Sequence, residues 1–254
     1  MTIIAVFNQK GGVGKTTTAL NLLAGIARGG ERPLGIDLDP QGHLSQMFGV
    51  IAKKAEDSMF GYFAYRLPLD EIARITRSGV LLCPAHPDLA RLDSLLGKGV
   101  RVVTQLRHSL HRPEAVPGPV VIDCGALLNV ASLNAVFAAD LIVVPVSSDF
   151  LSLDAAQRVE GALNALEPVF KRRLARRYVL TRYAADRTMC KVVAERIVAT
   201  LRREEVCATR IRESVELAES PTVALDVFRH APDSNGAQDY QALVDELSGA
   251  GLAR

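Results

Sequence analysis

The chain has 254 residues, 48% of them hydrophobic, with no Trp and only 5% aromatic side chains, so a single α/β domain with a mostly aliphatic core is the simplest reading. A formal net charge of +2 is too small by itself to imply a nucleic-acid partner. No stretch approaches about 18 consecutive apolar residues, which excludes a predicted membrane-spanning helix.

The N-terminal MTIIAVFNQKGG has no basic n-region and is read as carrying no signal peptide. Its residues 3–7 are a short apolar run, predicted as the first and central strand. Residues 16–28 then carry Leu20, Leu23 and Ala24 on one helical face, and Gly29-Gly30 ends the helix. Further strands are predicted at 33–37, 79–83, 119–123, 141–146 and 177–181. Helical stretches are predicted at 99–110, 130–139, 152–168, 189–202 and 234–248. Region 50–78 is the least regular and is expected to hold short helices on one face. Strands alternating with helices imply right-handed crossovers and a mainly parallel sheet covered on both faces. The four cysteines are far apart with no CxxC, so free thiols in a reduced compartment are expected. Cys83 and Cys124 are read as buried core thiols rather than ligands of a shared cluster.

The strongest motif is Gly11-Gly12-Val13-Gly14-Lys15-Thr16-Thr17, placed between a strand and a helix. Its glycines allow backbone N–H groups to turn inward around phosphate oxygens, and the helix start adds its positive end. Lys15 is expected to reach the β- and γ-phosphates of ATP, and the Thr16 hydroxyl to ligate Mg²⁺. The usual pattern has Gly five residues before Gly14; here that residue is Gln9, so the loop is a variant. Lys10 stands before the glycines, where an ordinary loop needs no charge. Two readings stand for it: a surface lysine, or one that crosses a dimer interface to the partner's ATP as an arginine finger does elsewhere.

Asp123 closes the apolar strand VVID, where a carboxylate can hold Mg²⁺. Asp37 and Asp39 end the strand LGID and flank Leu38, so both can face the same crevice. Asp37 is assigned to the Mg²⁺ shell and Asp39 to aligning the attacking water. From Lys171 to Arg212 there are thirteen Lys/Arg against four Asp/Glu. That basic block reads equally as a polyanion face or as a solvated surface with local ion pairs.

With these motifs in place, the sequence resembles the ParA/Soj branch of the deviant Walker A ATPases, relatives of MinD and nitrogenase iron protein. KGGVGKTTTALNL (10–22) resembles the family's signature loop, IDLDPQGHLS (36–45) its second motif, VVIDC (120–124) its Walker B strand and LNAVFAADLIVVPV (133–146) the segment after it. LTRYAADRT (180–188) resembles the strand and loop near the base, which puts Arg182 among the nucleotide contacts. IRESVELAESP (211–221) and SNGAQDY (234–240) resemble the C-terminal signatures.

The resemblance covers nearly the whole chain. It implies one P-loop domain over residues 1–254, with ATP and Mg²⁺ as ligands and an ATP-dependent homodimer in which Lys10 acts across the interface. It further implies nonspecific double-stranded DNA binding, release on hydrolysis stimulated by a cargo adaptor resembling ParB, and a cytoplasmic protein that joins the nucleoid when ATP-bound. Arg172, Arg173, Arg176, Arg202, Arg203, Arg210 and Arg212 are the candidate DNA contacts. Two departures stand out. Cys124-Gly125-Ala126 replaces the usual T-P-P, and Glu213 and Glu216 replace arginines in the C-terminal pattern. The rival readings are an ATPase switch acting on a protein partner without DNA, and a MinD-like membrane-surface ATPase. The ending ALVDELSGAGLAR is short, glycine-broken and poor in bulky apolar residues, which disfavours the membrane reading.

Overall fold

Ile3, Ala5 and Phe7 fall on one side of the first strand and Ile4 and Val6 on the other, and all five are fully buried. A strand covered on both faces needs apolar residues at every position, so it reads as a continuous run rather than an alternation. The computed structural model describes residues 2–111 and 118–249. Its eight strands are β1 (Ile3–Val6), β2 (Leu34–Asp37), β3 (Arg74–Ile75), β4 (Leu81–Cys83), β5 (Val120–Asp123), β6 (Leu141–Ser147), β7 (Arg176–Tyr183) and β8 (Val206–Arg212). They form one sheet in the order β3-β4-β2-β5-β1-β6-β7-β8. Only β3 runs antiparallel to its neighbour, β4. The expected mainly parallel sheet is therefore present, with helices on both faces.

β1 lies between β5 and β6, where the strand order reverses. The crevice beyond the carboxyl end of such a strand is where open α/β sheets bind ligands. The helix Lys15–Arg28 follows at once. Ala19, Leu20, Leu22, Leu23 and Ile26 join its side of the sheet to the C-terminal helix Asn235–Leu247 through Tyr240, Leu243 and Leu247. The Thr18 hydroxyl meets the Tyr240 hydroxyl at 3.1 Å, and Asn21 Oδ1 accepts the Val227 N–H at 3.0 Å. The apolar face of this last described helix is thus consumed in the core. Residues 250–254 of the ending read above lie outside the described residues.

Region 50–78 does hold short helices, Met59–Tyr65 and Leu69–Ile72, packed on the opposite face through Met59, Phe60, Phe63, Leu69 and Ile72. The helix predicted over 99–110 is two helices, Val100–Val103 and Gln105–Leu110, separated at Thr104. The sequence reading missed β8. Along it Cys207 and Ile211 are buried while Ala208 and Arg210 are exposed, the period-two pattern of an edge strand. Arginines at alternate positions masked that signal. All four cysteines are free and buried, as read for Cys83 and Cys124. Burial pushes the Cys83 thiol up to about 12.

Candidate functional site

The loop after β1 turns on two left-handed glycines, Gly12 at φ 73° and Gly14 at φ 87°. A side chain at either would be strained. Gly14 also caps the helix Lys15–Arg28, which has no side-chain cap. Its first N–H groups are therefore left for an anion. Gly11 and Gly12 are exposed at the mouth and Val13 is buried beneath them. Lys15 is 8% exposed, and its ammonium donates to the Lys10 carbonyl at 2.9 Å. Burial lowers its pKa, while Asp123 and Asp39 pull it back up.

Asp37 and Asp123 are register partners on the adjacent strands β2 and β5, and both are fully buried. Their environments differ. Asp37 accepts from Ser45 N–H at 2.8 Å, from the Ser45 hydroxyl at 2.6 Å and from Asp39 N–H at 3.1 Å. Burial still pushes it up to about 6, because those three donors offset only part of the desolvation. Neither oxygen of Asp123 has a hydrogen-bond partner. Burial, with Asp37 next, holds its pKa well above the ordinary value; Thr16 and Lys15 nearby favour the ionised form but do not reverse the shift. Thr16 stands close enough for that effect, yet outside hydrogen-bond geometry of either oxygen.

An orphaned buried carboxylate next to a hydroxyl is a hard-oxygen donor set of the kind Mg²⁺ takes, so the residues fit that ion. Asp123 and Thr16 supply the uncommitted oxygens. Asp37, read from the sequence as a ligand too, is engaged in holding Ser45 and Asp39.

Asp39 is half-buried, and its Oδ1 accepts the Gln41 N–H at 3.0 Å. A Cβ added at Gly125 would sit 3.7 Å from the Asp39 carboxyl carbon. The Cys124-Gly125-Ala126 segment that departs from the family pattern therefore lies against the residue assigned to align water. Arg182 is exposed at the end of β7, with its backbone at φ 51°. Such a conformation is costly for a non-glycine residue and clusters at functional sites. Thr17 is half-buried in the first turn of the loop helix.

Lys10 does not hang free. Its ammonium donates to both oxygens of Asp149, at 2.6 and 2.8 Å, and to the Ser152 hydroxyl at 2.7 Å. Asp149 also accepts from Ser147 and Ser152. Burial alone raises its pKa, but the bonds from Lys10, Ser147 and Ser152 bring it down to about 2. The sequence reading missed Asp149, Ser147 and Ser152. Their signal was the polar Ser-Ser-Asp run closing a predicted strand on the side of the sheet where the phosphate loop lies.

The basic block is not one face; of its two readings, local ion pairing is what Arg173, Arg176 and Arg212 show. Arg172 precedes β7, and Arg202 and Arg203 precede β8; Arg210 and Arg212 lie at the far end of β8. A strand of this length separates the two groups by roughly 20 Å. Three of the seven candidate DNA contacts are also committed elsewhere. Arg176 is fully buried and paired with Glu160 and Glu167. Arg173 pairs with Glu205 at 2.6 Å and Glu160 at 3.0 Å. Arg212 grips Asp239 at 2.7 Å. Carboxylates in the same fold neutralise these guanidinium groups. Among the described residues, Arg172, Arg202 and Arg203 are exposed with no such partner. Arg210 is exposed and lies 4.6 Å from the Tyr183 ring centroid. Glu213, one of the departures, pairs with Arg187 at 2.8 Å.

Residues 1–175 match a family model described as an AAA domain. The chain is 36% identical over 247 residues to the chromosome-partitioning ATPase Soj of Thermus thermophilus, covering 96% of this chain and 94% of that protein. It is 33% identical over 256 residues to the chromosome partitioning protein ParA of Caulobacter vibrioides, covering 96% and 93%. Among solved structures, cobyrinic acid a,c-diamide synthase from Mycobacterium smegmatis with bound ATP analog and magnesium superposes with a TM-score of 0.84 at 26% identity, over 98% of this chain and 94% of that one. The variant phosphate loop, the strand-end aspartates and this near full-length similarity lead to one conclusion: the chain belongs to the ParA/Soj/MinD-type P-loop ATPases, the partitioning and positioning ATPases.

Proposed function

We propose that this ATPase is a DNA-riding positioning switch: with ATP and Mg²⁺ it forms a homodimer, binds double-stranded DNA without sequence preference, and lets go after hydrolysis. The observation that carries the nucleotide part is the pairing of the Lys15–Thr16 loop with Asp123, whose two buried oxygens have no protein partner. Mg²⁺ bound there neutralises charge on the phosphates and on Asp123. Lys15 holds the phosphates, Asp123 and Thr16 hold the ion, and Asp39 orients the water. Asp37 holds Asp39 and Ser45 in register, so the segment 39–45 senses what happens in the crevice. Arg182 borders the base.

The dimer reading is supported by uncovered apolar side chains at the strand ends around the loop. Leu127 after β5 is 72% exposed, Phe150 and Leu151 after β6 are 57% and 66%, and Val215 after β8 is 67%. Large apolar groups gathered at one end of a sheet mark an interaction surface. Lys10 leaves Asp149 to reach the partner subunit's nucleotide, so the dimer reads the γ-phosphate. Dimerisation doubles the set of unpaired arginines, Arg172, Arg202 and Arg203. Each phosphate contact releases counterions, so doubling them strengthens DNA binding steeply. Backbone contacts carry no sequence information. A cargo-bound adaptor protein resembling ParB then stimulates hydrolysis, and the protein cycles between nucleoid and cytoplasm. No helix among the described residues is long and apolar enough to cross a membrane.

Binding to nonspecific duplex DNA with ATP, with ADP and without nucleotide tests the reading, with Lys15→Ala as control. ATP-dependent binding that disappears in Lys15→Ala is the expected result. Intact ATP binding with no ATP-dependent DNA binding would instead assign the protein to switches that act on a protein partner.

A further inference from the structure

We propose that Thr181, at the end of β7, is a positioning residue for the phosphate loop; the inference rests on the reading that this loop binds ATP. The Thr181 hydroxyl donates to the Val13 carbonyl at 2.9 Å, across 168 residues of sequence. Thr181 is 3% exposed and Val13 fully buried, so no water competes for that carbonyl. Thr181 is itself held from the other side. Its carbonyl accepts from Ser148 N–H at 3.0 Å and from the Ser148 hydroxyl at 3.1 Å. Its methyl group faces Gly14, where an added Cβ would lie 3.8 Å from Thr181 Cγ2.

The peptide plane gives this contact its consequence. Val13 C=O and Gly14 N–H belong to one trans peptide, so they point in opposite directions. Fixing the carbonyl toward Thr181 fixes the Gly14 N–H away from β7. That plane turns about the Val13 ψ and Gly14 φ bonds, and Gly14, at φ 87°, has no side chain to resist the turn. Without the Thr181 hydroxyl the buried Val13 carbonyl has no partner, and rotating the plane is the way to find one. The amide would rotate with it, and the loop would enter binding unformed. Ordering it would then weaken nucleotide affinity.

The test is calorimetric titration of the full chain with ATP and Mg²⁺, run on wild type, Thr181→Val, Thr181→Ser and Lys15→Ala well below their melting temperatures. The nucleotide-free thermal midpoint is measured alongside. Valine keeps the shape and removes the donor; serine keeps the donor. The expected result is about tenfold weaker ATP binding in Thr181→Val, with Thr181→Ser within about threefold of wild type. A lower midpoint in Thr181→Val with unchanged ATP affinity would make Thr181 merely structural and overturn the inference. Thr181→Cys covers the case in which the valine variant does not fold. A thiol is a weak donor, so an intermediate loss is expected, and wild-type affinity would overturn the assignment. Failure of the nucleotide reading looks different: wild type itself would not bind ATP, or Lys15→Ala would bind as wild type does.

Discussion

Lys10 and Asp149 form an ion pair within one subunit, with the ammonium 2.6 and 2.8 Å from the two carboxylate oxygens. The same lysine is the one proposed to reach across a dimer. The two placements exclude each other, so the internal pair opposes dimerisation. Both side chains are partly exposed, at 26% and 50%, which keeps the opposition modest.

Removing the charge at Asp149 should therefore favour the ATP dimer. Asp149→Asn is expected to lower the dimer dissociation constant about two- to fivefold, in keeping with a partly exposed pair. Lys10→Ala should bind ATP and remain monomeric. Sedimentation velocity with ATP and Mg²⁺ across a concentration series measures both. An Asp149→Asn protein that dimerises no better than wild type would show that the pair does not compete.

The Asp37–Asp123 pair sets a pH dependence in the nucleotide-free protein. Burial raises both carboxyls in the folded state, Asp37 to about 6. A carboxyl raised on folding favours the fold below its ordinary value, and that contribution is lost as pH rises through the folded value. The nucleotide-free protein should thus lose stability from this pair between about pH 4 and pH 6 and beyond. Asp123→Asn should raise its thermal midpoint at pH 7.5 by at least ~2 °C, the shift that ~1 kcal/mol gives in a domain of this size. Added Mg²⁺ and ATP should recover stability in wild type, and chelating the ion should abolish most of that gain. Melting curves from pH 5 to 8 provide the check; a wild-type midpoint unaffected by Mg²⁺–ATP would contradict the assigned donor set.

The arginines fall into two classes with opposite signatures. Arg176 is fully buried against Glu160 and Glu167, so Arg176→Ala removes their buried cation and leaves them only Arg173, at 3.0 and 3.9 Å. Breaking a buried pair costs about 3–5 kcal/mol, and the low end applies because each glutamate retains 21% exposure. Arg203→Ala should leave stability within about 0.5 kcal/mol. It should instead reduce the salt dependence of DNA binding by about one unit of log–log slope. Denaturant melts and DNA titrations at several salt concentrations separate the two. A slope unchanged in the Arg202→Ala, Arg203→Ala double variant would remove this turn from the DNA-contacting surface.

Much of the architecture was legible in advance because its signals are local. Parallel strands buried on both faces announce themselves as apolar runs, and 3–7, 119–123 and 141–146 were read close to their observed limits. A glycine loop between strand and helix is equally local. β8 was not legible, because an edge strand is half exposed and Arg210 and Arg212 interrupt its apolar pattern. The split of the basic block followed from the same omission. Once Val206–Arg212 is a strand, Arg202 and Arg210 must lie at opposite ends of it.

By itself the sequence determined the fold class, the phosphate loop and the acidic residues near it, since each depends on residue type at fixed short spacing. Tertiary structure alone decided which charges are available. Arg173, Arg176 and Arg212 are indistinguishable from Arg172, Arg202 and Arg203 by composition, yet only the first three meet carboxylates brought to them by the fold. Tertiary structure likewise decided that Lys10 rests on Asp149, 139 residues away, and that Thr181 holds Val13, 168 residues away. Hydrogen bonds and ion pairs act over about 3 Å, and folding, not sequence separation, decides which groups come that close.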